Sequence, residues 1–155
     1  MNFLLVVLFV ALVSTGLLAG IFLGDRMGLG FSRSALPASS FVQLQQIQHV
    51  HFVRMMPVLQ IAALLSTLTW LFLLRSSVQS SQFAVIALGA ICLLVVFGLT
   101  LAINVPINNT LMTWNESAPP VDAMEIWKRW EHVNTVRAIM SPIGFALEVL
   151  GLILA

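Results

Sequence analysis

Four long apolar stretches dominate the pattern of hydrophobic and polar positions along the chain. They cover residues 3–23, 56–74, 83–105 and 135–155, and each has the roughly 20 residues that a helix needs to cross a bilayer. Because lipid offers the backbone no hydrogen-bond partners, helices are the structure expected for all four. The short Ser- and Gln-rich connection 75–82 forces the second and third spans into an antiparallel hairpin. The pattern therefore predicts an all-α fold, a four-helix transmembrane bundle with amphipathic segments before helices 2 and 4.

The composition agrees with this prediction and excludes other classes of protein. Hydrophobic residues make up 59% of the 155 residues and charged residues 8%, with a net charge of +1, which leaves too few charges to cover a soluble surface. The same figures exclude a disordered chain and a nucleic-acid-binding protein, and the lone cysteine, Cys92, excludes a disulfide scaffold. We therefore expect one membrane domain, residues 1–155, whose partner is the lipid bilayer.

The first apolar stretch is predicted to be a permanent span and not a cleaved signal. It is longer than the apolar core of a signal peptide, and no basic side chain precedes it. Gly16, Gly20 and Gly24 recur at four-residue spacing, which forms a smooth stripe that another helix can approach closely. This stripe predicts helix packing within the monomer or in a homo-oligomer.

Basic side chains are concentrated on one side of the predicted bundle. The second connection holds Arg75 alone, while the first and third connections and their flanks hold Arg26, Arg33, Arg54, Lys128, Arg129 and Arg137. The positive-inside tendency then places the first and third connections in the cytoplasm and both termini outside. The lack of targeting and lipidation motifs is compatible with a bacterial inner membrane.

A polar run at the end of the third span, residues 104–110 (NVPINNT), is the first candidate site. Polar groups in or beside an apolar span are costly unless they find partners. Pro106 has no amide hydrogen and biases the residue before it away from helix, so we expect the helix to open there and to present amide side chains. Alternatively, Asn104 and Asn109 cap the last carbonyls of the helix.

The second candidate lies on the helix predicted to lead into the fourth span. At 100° per residue, one face carries two indoles, an amide and a guanidinium, from Trp127, Trp130, Asn134 and Arg137. His132 points to the opposite, charged side and is a poor candidate for a ligand. In the alternative interpretation the two tryptophans are anchors at the membrane interface, which does not explain why the amide and the guanidinium share their face.

A carboxylate continues this helix toward the other side of the membrane. Glu148 lies eleven residues beyond Arg137, about 16 Å along the helix, so the two cannot form an ion pair. We expect Glu148 to reach outer water or Arg75.

The third candidate is the entry to the second span. His49 and His51 cannot bind one metal ion on a helix, because side chains two residues apart point about 200° away from each other. His49 shares its face with Gln45 and Gln60, a polar stripe that enters the membrane, and is therefore the better candidate. We predict no metal site from these spacings. The cofactor stays open between none and a haem or metal bound through His49, with Met56 as a second ligand.

Residues 104–111 (NVPINNTL) are followed by a Trp-containing loop and then by the pattern Trp130-x-x-x-Asn134-x-x-Arg137. This combination resembles a family of small four-helix membrane proteins that includes the fungal anthrone oxygenases. The resemblance extends over nearly the whole chain in length and in the number of spans. It implies a four-helix bundle and suggests Asn108, Asn134 and Arg137 as site positions. Anthrone oxygenases oxidise an activated methylene of a lipophilic anthrone to give an anthraquinone.

Two functional hypotheses follow from these residues and this resemblance. In the first, the protein is an oxygenase for a lipophilic aromatic or phenolic substrate: His49, with an unperturbed pKa near 6.5, is the base, and Arg137, Asn108 and Asn134 hold the enolate oxygen. Trp127 or Trp130 provides a surface on which the substrate stacks, and Gln45, Gln60 and Asn104 also bind the substrate. In the second, the protein is a non-catalytic binding or interaction protein, and the polar stripe is a structural network.

Overall fold

The computed structural model describes residues 2–155, apart from the side chain of Ser34, and its regular structure is helical, without strands among those residues. The α-helices are α1 (Phe3–Gly24), α2 (Gly30–Ser34), α3 (Ala38–Leu73), α4 (Ser81–Leu99), α5 (Val105–Leu111) and α6 (Ala123–Ile153). Two π-helical segments, Asp25–Leu29 and Thr100–Asn104, join α1 to α2 and α4 to α5, and a 3₁₀ turn, Arg75–Ser77, follows α3.

Four continuous helical stretches are long and apolar enough to cross a membrane. They are Phe3–Arg33, Ala38–Leu73, Ser81–Leu111 and Ala123–Ile153, which fit an integral membrane protein and confirm the predicted all-α four-helix bundle. The two amphipathic segments are the first turns of α3 and α6, so they continue directly into the spans that follow them.

The four long helices are arranged as a ring in which each packs beside two others. α1 packs against α3 and α6, and α4 packs against the same two helices. α1 and α4 therefore face each other across the bundle axis, as do α3 and α6. Chain order then makes every neighbouring pair antiparallel, which is an up-down-up-down bundle.

The buried side chains form three layers along the bundle axis. One end is filled around Trp70 and Ile86, the middle around Leu18, Ala63 and Leu93, and the other end by an aromatic cluster, Phe41, Trp114, Trp127 and Trp130 with their neighbours. Most of the polar residues singled out from the sequence lie between the middle layer and the aromatic cluster, whereas Glu148 contacts Thr15 and Thr67 away from that zone. The layers therefore leave a polar zone at the end of the bundle that the long connections cover.

The helix does not open at Pro106, so that prediction is wrong. The chain widens into the π-helical segment Thr100–Asn104, and the amide of Val105 donates to the carbonyl of Thr100. Pro106 then occupies the first turn of α5, where its missing amide hydrogen and its ring are tolerated. The extra residue of the π turn thus lets the third span continue as helix to Leu111.

The glycine stripe of α1 is only partly used inside the molecule. A Cβ atom at Gly16 would lie 3.1 Å from the ring of Phe145, so α1 and α6 approach closely there. Gly20 and Gly24 would meet nothing within 4 Å. Packing within the monomer therefore accounts for Gly16, and the homo-oligomer stays a prediction.

Candidate functional site

A cavity of about 180 Å³ lies between the middle layer and the aromatic cluster. Every long helix contributes to its wall: α1 with its π segment, the first half of α3, the segment from α4 to α5, and the first half of α6. The wall combines aromatic and aliphatic side chains such as Phe22, Phe97 and Met56 with a set of amides and charged groups. Both π segments reach this wall, which agrees with the tendency of π bulges to occur at functional sites.

Arg137 is one of two arginines on this wall, with Arg33. Its side chain is 5% exposed, and its guanidinium lies over the ring of Phe22, 4.5 Å from the centroid, and 5.5 Å from that of Trp130. Nη2 donates to Oδ1 of Asn134 at 2.8 Å, and Nη1 donates to Oγ1 of Thr100 at 3.1 Å. Both of these acceptors are neutral.

The positive charge of Arg137 has no carboxylate beside it. The two ion pairs found in residues 2–155 both belong to Arg33, with Asp25 and with Glu131. Arg137 uses two of its five N–H donors in the hydrogen bonds described, and its Nε is buried without a partner. The carboxylates of Asp25 and Glu131 act on Arg137 electrostatically from beyond ion-pair distance. A buried cation without an adjacent anion is costly, so this position favours a ligand that brings a negative charge next to it.

Asn134 is held in a fixed orientation by the carboxylate of Asp25. Its amide nitrogen donates to Oδ2 of Asp25 at 2.8 Å, which leaves its carbonyl oxygen for Arg137. The same carboxylate accepts hydrogen bonds from both terminal nitrogens of Arg33, and Arg33 also donates to Glu131 at 3.1 Å. A directed series of hydrogen bonds thus runs from Arg33 through Asp25 and Asn134 to Arg137.

Several polar atoms on the cavity wall are buried and have no protein partner. They include both side-chain atoms of Asn104, Nε2 of Gln45, Oε1 of Gln60 and the indole N–H of Trp130. Buried polar groups are normally hydrogen-bonded to protein, water or ligand, so these atoms are available to bind a polar ligand or water in the cavity. Asn104 therefore does not cap the helix end by any contact described, and the capping interpretation fails for it.

The structure brings most of the sequence-predicted site residues to one cavity. Those on its wall are His49, Asn108, Asn134, Arg137, Trp130, Gln45, Gln60 and Asn104. Trp127 is the exception, since it stacks behind Trp130 with ring centroids 4.2 Å apart and lies away from the wall. Both indoles are buried, so the interpretation as interface anchors is wrong.

The histidines separate as their helical positions predict. His49 is half-buried on the cavity wall, on the helix opposite α6, whereas His51 and His132 are exposed and lie off that wall.

Pro57, one turn before Gln60, has no amide hydrogen for the carbonyl of Val53, which leaves another acceptor beside the wall.

Residues 47–147 of the chain match the family model described as anthrone oxygenase, and this stretch is well over half of the 155 residues. The chain belongs to the anthrone oxygenase family. No curated protein and no solved structure matches it. The matched region of this anthrone oxygenase-family protein contains His49, Asn108, Asn134 and Arg137, while Asp25 lies before it. Family membership supports an oxygenase-type function and gives no substrate.

Sequence reasoning missed Asp25 and Arg33, which position Asn134. Both were counted as residues of the first connection, because hydropathy falls after Gly24. The signal that could have found them is their spacing: eight residues apart on a continuous helix places two side chains on similar faces. Their acidic and basic character, at the end of an otherwise uncharged span, would then have predicted a buried pair.

The part of the chain that is described contains no cluster of side chains that could bind a metal ion. No group of three His, Cys, Asp or Glu side chains lies together among those residues. Met56 does share the cavity wall with His49. The donor set on the wall is instead rich in amides and guanidinium groups, which suit a ligand that carries oxygen atoms and negative charge.

Proposed function

We propose that this anthrone oxygenase-family protein oxidises a lipophilic aromatic substrate with an acidic methylene group, such as an anthrone, at the cavity around Arg137. The observation that carries the proposal is the buried guanidinium of Arg137, which lies on an aromatic-lined wall without a carboxylate partner. Such a group stabilises an enolate oxygen more strongly than the neutral keto oxygen that precedes it, and this difference is what accelerates deprotonation.

The proposed chemistry begins with proton transfer from the methylene carbon to His49. The negative charge then moves to the keto oxygen, where Arg137 and Asn108 donate hydrogen bonds, while Asn134 holds the guanidinium in place. The enolate carbon reacts with dioxygen to form a carbon–oxygen bond and a peroxide. Loss of water from the peroxide, with the second methylene hydrogen, leaves a carbonyl. One oxygen atom of O₂ therefore enters the product and the other leaves as water.

The cavity size and its opening support a lipophilic substrate that arrives through the bilayer. Apolar cavities of about 150 Å³ take up benzene, so about 180 Å³ accommodates one ring, and a fused ring system extends toward the opening. Phe52 and Val53 of α3, with Leu101 and Val105 of the segment after α4, line the cavity and are also exposed on the outer face of the bundle. An entrance between these helices would face lipid.

The test is oxygen uptake by the purified protein in lipid nanodiscs with anthrone, after subtraction of the spontaneous rate in protein-free nanodiscs. We expect Arg137→Gln to lower the turnover number by about 10²-fold or more, the cost of removing one oxyanion donor. His49→Gln should lower the same rate. The matched control is His132→Gln, because that side chain is exposed on the other side of α6. An unchanged rate in Arg137→Gln would contradict the proposal.

The same preparation distinguishes catalysis from binding alone. Trp130 lies on the cavity wall, so its fluorescence should report substrate binding in wild type and in both variants. Binding that depends on Arg137, together with oxygen uptake no faster than the spontaneous rate, would favour the non-catalytic binding protein. Saturable uptake that is lost in Arg137→Gln, with the unfolding temperature preserved, would support the oxygenase.

A further inference from the structure

A second polar centre lies deep in the bundle, away from the cavity, and is built around Glu148 of α6. Its side chain is 0% exposed, so the expectation that it reaches outer water or Arg75 is wrong. Oε1 lies 3.2 Å from Oγ1 of Thr15 on α1 and also contacts Oγ1 of Thr67 on α3. The α4 helix passes close by at Gly89, where an added Cβ would lie 3.8 Å from Cγ of Glu148.

The donors and acceptors around Glu148 indicate which of its protonation states fits these contacts. Thr67 contacts both the carbonyl of Ala63, at 2.8 Å, and Oε1 of Glu148, and both contacts are hydrogen bonds only when its single hydroxyl hydrogen is donated to the carbonyl, which cannot itself donate. Thr67 must then accept a hydrogen bond from Glu148, and a carboxyl group can donate only when it is protonated. Thr15 donates to the same carboxyl oxygen. Every hydrogen in this arrangement has one acceptor.

The surroundings of Glu148 also disfavour a negative charge. Its second oxygen, Oε2, is buried without a partner, and neither ion pair found in residues 2–155 involves Glu148. A bare carboxylate oxygen in this position would carry a large desolvation cost, whereas a carbonyl oxygen of a neutral acid carries a much smaller one.

The other titratable groups on the helices that pack around Glu148 are either too far away to pair with its carboxyl group or uncharged. On its own helix the nearest is Arg137, about 16 Å along the axis, and on α3 Arg54 lies thirteen residues before Thr67, about 20 Å away. Arg75, past the end of α3, is exposed and is engaged with the ring and the carbonyl of Phe72. The α1 helix holds no charged residue, and α4 holds only the thiol of Cys92.

We propose that Glu148 forms a proton-binding site inside the bundle, in which it is a neutral carboxylic acid that donates to Thr67 and accepts from Thr15. The proton replaces the counterion that a buried carboxylate would otherwise need. This site is separate from the cavity and does not depend on the proposed oxygenase activity.

Infrared difference spectroscopy at neutral pH tests the proposal, with the protein in a detergent that has no ester group, because ester carbonyls absorb in the same region as a protonated carboxyl group. A protonated carboxyl group absorbs above the amide I band, and we expect a band there that shifts to lower frequency in D₂O. Because Oε2 accepts no hydrogen bond, the band should lie at the high-frequency end of the carboxylic acid range. Glu148→Gln should remove the band, and Glu125→Gln, at an exposed position of the same helix, should leave it unchanged.

The proposal is overturned if wild type shows no such band, or if the band survives in Glu148→Gln. Should Glu148→Gln fail to assemble, Thr67→Val provides the second measurement, because it removes the hydroxyl that accepts the proton of Glu148. We expect this variant to displace the band, and a band at the wild-type position would also overturn the proposal.

Discussion

Replacement of Asp25 by asparagine should destabilise the bundle by more than a typical surface substitution. The carboxylate accepts three hydrogen bonds, two from Arg33 and one from Asn134. The asparagine side chain offers one acceptor oxygen, and its NH₂ group would face an N–H donor of Arg33 or Asn134. Arg33 would also keep Glu131 as its only ion-pair partner while its side chain is 3% exposed.

The size of the effect follows from the groups that are lost. A hydrogen bond to a charged group contributes about 1.5–3 kcal/mol, and breaking a buried ion pair costs about 3–5 kcal/mol. Since Glu131 partly compensates Arg33 and Asp25 is 12% exposed, we expect the lower end, about 3 kcal/mol. For a chain of this length that corresponds to a fall in unfolding temperature of roughly 6–12 °C.

Thermal unfolding of purified protein in detergent measures this effect, and Asp122→Asn is the matched control. Asp122 is exposed, and its side chain makes no capping hydrogen bond to α6, so its replacement should change stability by less than about 0.5 kcal/mol. Equal unfolding temperatures in the two variants would refute the reasoning.

A double-mutant cycle with Arg33→Gln isolates the ion pair. If Asp25 stabilises the fold through Arg33, removing its charge should cost less once Arg33 is already neutral. We expect a coupling free energy of about 1–3 kcal/mol, within the usual range for contacting groups. Strictly additive effects would show that the two side chains act independently.

Two further substitutions have matched controls in the same chain. Gly151→Ala should lower stability by about 1–3 kcal/mol through overpacking, because the added Cβ would lie 2.8 Å from Cγ1 of Ile86. The control is Gly20→Ala, where an added Cβ would meet nothing within 4 Å, and it should be neutral or stabilise by up to about 1 kcal/mol. Equal unfolding temperatures of the two variants would contradict this prediction. Gln46→Ala should lower stability by about 1–2 kcal/mol, because the side-chain amide donates to two carbonyls at and just after the end of α5, at 3.0 and 2.9 Å. The control is Gln43→Ala at an exposed position, which should have no measurable effect on stability. A loss of stability in Gln43→Ala as large as that in Gln46→Ala would count against the two hydrogen bonds.

Hydropathy was sufficient to predict the four spans because each apolar run is long and lipid permits only helices for it. It was insufficient where helix continues beyond the apolar run. The amphipathic starts of α3 and α6 were predicted from their 3.6-residue periodicity instead, whereas the stretch after Pro106 is helical because a π turn accommodates the proline. None of these is visible in the hydropathy of the segment itself.

The candidate site was predictable where its residues share one helix face. The face of α6 that carries Trp130, Asn134 and Arg137 could be read from 3.6-residue periodicity, and the structure places all three on the cavity wall. Spacing along one helix could have revealed the pair of Asp25 and Arg33, but not its role at the cavity, because Asn134 comes from another helix. Pairing between helices depends on the order of helices around the ring, which periodicity does not contain.

The same limit explains Glu148. Its helical position put it nearly in line with Arg137, but its two hydroxyl partners come from α1 and α3. Threonines in apolar spans are common and usually donate to their own helix backbone, so Thr15 and Thr67 give no signal by themselves. Only the packing of three helices turns them into a carboxyl-binding site.

A comparison of the buried side chains of Arg33, Arg137 and Glu148 shows why Arg137 is the one that favours a ligand. Arg33 is compensated by two carboxylates, and Glu148, as we propose, is neutralised by a proton. Arg137 cannot use the second route, since a guanidinium keeps its proton in proteins, and neither carboxylate of the Arg33 cluster pairs with it. Asp25 and Glu131 act on its charge only from beyond ion-pair distance, so an anion in the cavity would be its first direct partner. An enolate provides that negative charge at the moment of proton transfer, which connects the electrostatics of the cavity wall with the proposed reaction.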